Sequence, residues 1–100
     1  MARWVASVPG KTMLDSLALT AAGNVCVATM GADFGGTAGG AITTVTPAGA
    51  VSQVPFDDPV VTNIAFGGAD MMDAWITFSG RGALIKTRWS EPGMKLVYEA

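Results

Sequence analysis

The chain contains no histidine. That excludes histidine-based triads, imidazole zinc sites and imidazole acid–base chemistry within one chain. Any metal here has to be held by oxygen ligands. There is one cysteine, Cys26, so no internal disulfide framework exists. Cys26 sits in an apolar run and reads as a small buried hydrophobe rather than a nucleophile. Charge is scarce as well, at 14% of residues against about 25% in an average soluble domain. The net charge is −2 with Lys and Arg scattered, which leaves no basic footprint for nucleic acid. No stretch of about 18 apolar residues is present to span a membrane. The start, Met1-Ala2-Arg3-Trp4, lacks the long apolar segment of a secretory signal, so the expected location is cytoplasmic.

What is present is 100 residues, 50% of them hydrophobic. A chain of this mass folds to about 5,300 Å² of surface and buries roughly 64% of its unfolded area. So short a chain has a large surface fraction and should need more charge, not less. Either something covers part of its surface or it is prone to aggregate.

Nine short β-rich runs are separated by turn chemistry. They are Trp4–Val8, Leu17–Thr20, Val25–Thr29, Ala41–Thr46, Val51–Val54, Val61–Phe66, Ala74–Phe78, Ala83–Trp89 and Lys95–Tyr98. No window supports a long amphipathic helix, so the fold class is all-β. The segment Asp70–Asp73 reads as a turn or a short helical corner. The runs also repeat. Leu17-Ala18-Leu19 matches Ile64-Ala65-Phe66 in type, Val25–Thr29 matches Ala74–Phe78, and Gly40-Ala41-Ile42 matches Gly82-Ala83-Leu84. Offsets of 42 to 49 residues with four strands per repeat suit β-propeller blades. Two blades fit, about 9–58 and 59–100, with residues 1–8 as an outer strand of a preceding blade. A single sandwich or barrel of eight or nine strands fits the spacing equally well.

Several local motifs carry little. Gly10-Lys11-Thr12 ends like a phosphate-binding loop, but the glycine required five residues earlier is Val5. The stretch Gly31 to Gly40 reads as a loop between two strands. Asp57-Asp58 and Asp70 with Asp73 lack calcium-loop spacing and read as solvated turns. Trp75 and Trp89 are expected to pack between blades, and Arg81 sits in a Ser-Gly-Arg-Gly turn.

Two stretches are more specific: Leu14-Asp15-Ser16-Leu17-Ala18-Leu19-Thr20-Ala21-Ala22-Gly23-Asn24-Val25-Cys26-Val27-Ala28-Thr29, and Asp58-Pro59-Val60-Val61-Thr62-Asn63-Ile64-Ala65-Phe66-Gly67-Gly68-Ala69-Asp70 followed by Ala74-Trp75-Ile76-Thr77. Both resemble the C-terminal portion of the SMP-30/gluconolactonase/LRE-like family. The resemblance runs from about Arg3 to Ala100. It implies blades of a six-bladed propeller with one divalent metal (Ca²⁺, Zn²⁺ or Mn²⁺) in a central channel, and hydrolysis of sugar lactones. By the same resemblance, Asp15 matches the family's metal-ligating Asp at the start of an inner strand, as ligand and general base. Ser16 stands where the family more often has Gly. Asn63 opens the equivalent inner strand of the next blade and, with Ser16, is expected to line the channel. The family's Glu and Asn ligands come from earlier blades that this chain does not contain. One carboxylate cannot supply the six to eight oxygens that Ca²⁺ prefers.

Two expectations follow. In one, the chain is the C-terminal third of a metal-dependent lactonase, either as a truncated gene product or as one part of an assembled propeller. Three copies of two blades make six, so a homotrimer would cover the blade faces and bring three Asp15 side chains to one channel. In the other, it is a non-catalytic two-blade module that dimerises or binds a partner protein through its exposed faces.

Overall fold

The computed structural model describes residues 2–8, 12–31 and 39–96. Seven strands form two antiparallel sheets. The first sheet runs in the order β1 (Met13–Leu19), β2 (Val25–Met30), β3 (Ala41–Val45) and β4 (Val51–Pro55). The second is β5 (Val61–Gly67), β6 (Asp73–Phe78) and β7 (Ala83–Arg88). The all-β reading and the two consecutive meanders agree with the sequence. The first repeat joins its second and third strands through residues 31–40, the second through 79–82, so the spacing shortens along the chain.

Two hairpins of the first sheet are closed by one device. Thr20-Ala21-Ala22-Gly23-Asn24 and Thr46-Pro47-Ala48-Gly49-Ala50 both begin with Thr and place Gly fourth. Gly23 and Gly49 have φ of 89° and 92°, the left-handed region where a Cβ is penalised. Each donates its N–H to the carbonyl of the Thr three residues back, at 3.0 and 2.9 Å. Each Thr hydroxyl then accepts the next N–H, from Asn24 at 3.1 Å and from Ala50 at 3.0 Å.

The sheets pack face to face. Cys26, Ala28 and Ile42 of the first meet Val61, Ile64, Ala74, Ile76 and Phe78 of the second, with Trp89 closing the cluster. Strict alternation in β6 drives this: Ala74, Ile76 and Phe78 point inward and are buried. Ile42, Ile64 and Ile76 are fully buried, each stabilising the fold by about 1.5–3 kcal/mol over an exposed side chain.

Three sequence expectations change. Among the described residues the second sheet has three strands where four were expected. After β7 the chain turns across the top of the molecule, where Gly93 donates to the Met71 carbonyl at 2.8 Å and Met94 to that of Leu19 at 2.9 Å. Lys95 and Leu96 therefore lie outside any strand, and Val97 and Tyr98 fall outside the described residues. The run Trp4–Val8 forms no strand; the Val5 carbonyl lies beside Gly49, and Trp4 is 83% exposed. Trp89 packs in the core against Phe66, ring centroids 6.4 Å apart, whereas Trp75 faces outward beneath the Lys86 ammonium, 5.0 Å from the ring centre. Trp75 follows the alternation of β6, which puts it opposite the buried Ala74 and Ile76.

Gly93 works by its lack of a side chain. A Cβ there would overlap Cβ and Cγ of Phe66, so only glycine lets the returning chain lie on that ring. Met71 has φ 60°, a position that is unusual for a side chain this long. Its N–H bonds the Gly68 carbonyl at 3.2 Å and its carbonyl accepts Gly93, so the returning chain holds this turn closed.

Candidate functional site

The first strand of each sheet, β1 and β5, is an edge strand, and the two lie near one another. Each carries a β-bulge near its start. In β1 the pairs Leu14–Thr29 and Leu17–Val27 leave Asp15 and Ser16 opposite the single residue Ala28. In β5 the pairs Val61–Phe78 and Asn63–Thr77 leave Thr62 as the extra residue. Bulges bend a strand and re-aim its side chains, and they recur beside active sites. The repeat therefore preserves a bulge but changes its chemistry. Thr62 is tied down, its hydroxyl sharing hydrogen bonds with Thr77 at 2.9 Å and Ser79 at 2.6 Å. Asp15 and Ser16 are exposed, and no side-chain partner for Asp15 exists among the described residues.

Asp15 is also isolated electrostatically. Among the described residues from 12 to 55 it is the one charged side chain. The remaining polar groups of that sheet are neutral hydroxyls and an amide. With no side-chain partner among the described residues, this exposed carboxylate keeps its oxygens available to a ligand from outside.

Between β1 and β5 runs an open groove of about 380 Å³. Leu17, Ile64, Phe66, Met94 and Leu96 give it apolar walls, and Asn63 stands at its polar end. The Asn63 Oδ1 accepts the Ile64 N–H at 2.9 Å, which leaves the amide NH₂ as the group it can offer. The structure thus brings Asn63 to the groove, while Asp15 and Ser16 sit on the neighbouring bulge and do not line it. Sequence reasoning missed Phe66, Met94 and Leu96 as groove walls. Gly93 was the available signal, since a glycine amid apolar residues marks a close approach of two segments.

Asp58 corrects another expectation. It is 1% exposed, not solvated. Its carboxylate accepts the N–H groups of Val60 at 2.8 Å, Gly80 at 3.1 Å and Arg81 at 3.0 Å. The Arg81 Nε lies 3.6 Å away, and the same guanidinium reaches Asp57 at 3.0 Å. Every oxygen is used to hold the β6–β7 turn, so Asp58 is structural, and Arg81 is engaged rather than free. Asp70 and Asp73 share Arg88, with Nη1 to Asp73 at 2.7 Å. The Arg88 guanidinium holds the Asp70 carboxyl at about 2, well below its usual range. Burial pushes the Cys26 thiol up, which keeps it protonated and unreactive near neutral pH.

No group of three or more His, Cys, Asp or Glu that could hold a metal ion occurs among the described residues. The described residues therefore do not make a complete divalent-metal site on one chain. The glycine-rich stretch falls largely outside the described residues, as do Pro9, Gly10 and Lys11.

A comparison with protein families decides the relationship. Residues 2–80 match the SMP-30/Gluconolactonase/LRE-like region. The chain belongs to the SMP-30/gluconolactonase/LRE-like family. The match covers all of the first sheet, β5 and β6, and includes Asp15, Ser16 and Asn63. No curated protein matches the chain significantly. Two consecutive antiparallel meanders are consistent with propeller blades of this family. Among the described residues no helix is long and apolar enough to cross a membrane.

Proposed function

We propose that this chain is the C-terminal segment of a sugar-lactone hydrolase of the SMP-30/gluconolactonase/LRE-like family, with Asp15 as its contribution to the reaction centre. The observation that carries the reading is an exposed carboxylate, without a side-chain partner among the described residues, on a bulge of β1 within the family match. Family members use a divalent metal to polarise the lactone carbonyl. Here Asp15 serves as one oxygen ligand and as acceptor of a proton from the attacking water. The Asn63 amide and the apolar groove beside it suit the polar edge and the carbon skeleton of a small ring. The other ligands must come from outside this chain's described residues. In a six-bladed ring, three copies of two sheets would bring three Asp15 side chains to one channel.

The test is metal content and lactone turnover of the purified full chain. After dialysis against Ca²⁺, Zn²⁺ or Mn²⁺, retained metal and a rate above spontaneous hydrolysis are expected, both lost in Asp15→Ala with an unchanged circular-dichroism spectrum. No retained metal together with only the background rate overturns the reading.

A second reading has its own observation. Large apolar side chains stand exposed on both sheets and the leading segment, including Trp4 at 83%, Leu84 at 63% and Leu17 at 56%. In this alternative the two-sheet unit is non-catalytic and uses those surfaces for self-association or a protein partner.

A further inference from the structure

The two sheets differ by one strand. In the first, β4 covers the outer edge of β3 along its whole length, from Ala41–Pro55 to Val45–Val51. In the second, the chain leaves β7 at Trp89 and goes to Met71 and Leu19, so among the described residues β7 has no outer neighbour. An unpaired edge of this kind is a template for another strand.

The same chain holds a strand-like segment without a sheet. Residues 2–8 form no strand, and Trp4 is its most exposed large hydrophobic side chain. Its pattern is amphipathic: Trp4, Ala6 and Val8 fall on one face of an extended segment, Arg3, Val5 and Ser7 on the other.

A groove lies where such a strand would dock. On the core side of the β7 edge, Val54, Phe56, Thr87, Arg88, Trp89 and Ser90 enclose about 220 Å³. That is about the size of an indole side chain, and two of its walls are aromatic. Antiparallel pairing that sets Trp4 against Thr87 also sets Val5 against Lys86, Ala6 against Ile85 and Val8 against Ala83. Trp4, Ala6 and Val8 then all meet the inward face of β7, where Ala83 and Ile85 are only partly buried.

We propose that residues 3–8 of one copy add to the edge of β7 in a second copy, as the missing fourth strand, with Trp4 filling the groove between Phe56 and Trp89. Main-chain bonds supply affinity and the indole supplies register, as in other strand additions. The contact is head-to-tail, so it repeats from copy to copy until the ring closes. It rests on the sheet geometry and not on the lactonase reading, so the two fail separately: one by mass, the other by turnover.

Light scattering on the full chain at rising concentration tests it. An oligomeric mass at micromolar concentration is expected. Trp4→Ser, a change at an exposed position, should keep the circular-dichroism spectrum and raise the dissociation concentration about thirtyfold or more. Mixing Val5→Cys with Lys86→Cys under oxidation should give an inter-chain disulfide between unlike variants, since directly paired strands meet the required spacing. A monomer at all concentrations, a mass unchanged by Trp4→Ser, or disulfides only between like variants would overturn the proposal.

Discussion

In the sheet β1–β4, Thr29, Thr43 and Gln53 form a chain of neutral hydrogen bonds across β2, β3 and β4, at 2.7 Å between the hydroxyls and 3.0 Å from Gln53. In β5–β7 carboxylates join a neutral chain of Thr62, Thr77 and Ser79: Asp58 clamps the β6–β7 turn, while Asp70 and Asp73 share Arg88 and Asp73 also meets Lys86 at 3.8 Å. The charge distribution explains the division. Residues 1–56 carry only Arg3, Lys11, Asp15 and Asp33; the rest of the charge follows Phe56. Within the first sheet β2 is buried on both faces and β3 is buried at its start, where a neutral group costs least to bury, while β1 and β4 are exposed. The second presents an outward face, where charge is cheap. Asp15 stands out for this reason: among the described residues it is the one carboxylate of the first sheet.

The largest effect should come from the clamp. Asp58→Ala strips three backbone N–H groups of their buried acceptor, leaving the Arg81 guanidinium to Asp57 alone, and should cost about 3–5 kcal/mol of unfolding free energy in urea titration. Equal stability in wild type and variant would show that the β6–β7 turn holds without it. Next is Gly93→Ala, which forces a methyl into Phe66 where the returning chain joins the two sheets. A loss of about 1–3 kcal/mol is expected, with the thermal midpoint lowered accordingly. Smaller again is Thr43→Val, which breaks the neutral chain of the first sheet and leaves Thr29 and Gln53 short of a partner. It should cost about 1–2 kcal/mol, by the same amount at pH 7 and pH 4 because no charge is involved.

The smallest effect separates the sheets by pH. The folded Asp70 carboxyl is held at about 2, below the unfolded value of about 3.9. Its stabilisation is therefore complete above about pH 4 and lost as pH falls through about 2. The urea midpoint should decline over that window, and Arg88→Gln should flatten the decline. The pair is fully exposed, so the change is slight. An undiminished slope in Arg88→Gln would place the acid sensitivity elsewhere.

Much of the fold was legible because strands of this kind announce themselves. The β-branched runs at Val25–Thr29, Ala41–Thr46 and Val61–Phe66, each stopped by Gly or Pro chemistry, became β2, β3 and β5 with ends within two residues. Trp4–Val8 has the same local pattern yet forms no strand, because a strand exists only beside a partner and propensity does not specify one. Of the site, Asp15 and Asn63 were visible through family resemblance. That Asp15 sits on a bulge and Asn63 at a groove was not, since register depends on pairing two segments more than ten residues apart. Asp58 was misread for the same reason: nothing local distinguishes it from Asp57, and only the return of Gly80 and Arg81 buries it.

The sequence by itself determined the all-β class, the doubled meander, the absence of imidazole and disulfide chemistry, and the low charge. These follow from residue types and their spacing along the chain. Only the tertiary structure decided which carboxylate is buried, which indole faces outward, where the chain goes after β7, and that among the described residues one sheet has a strand fewer than the other. Each of these depends on contacts between segments distant in sequence, and such contacts leave no periodic trace in it.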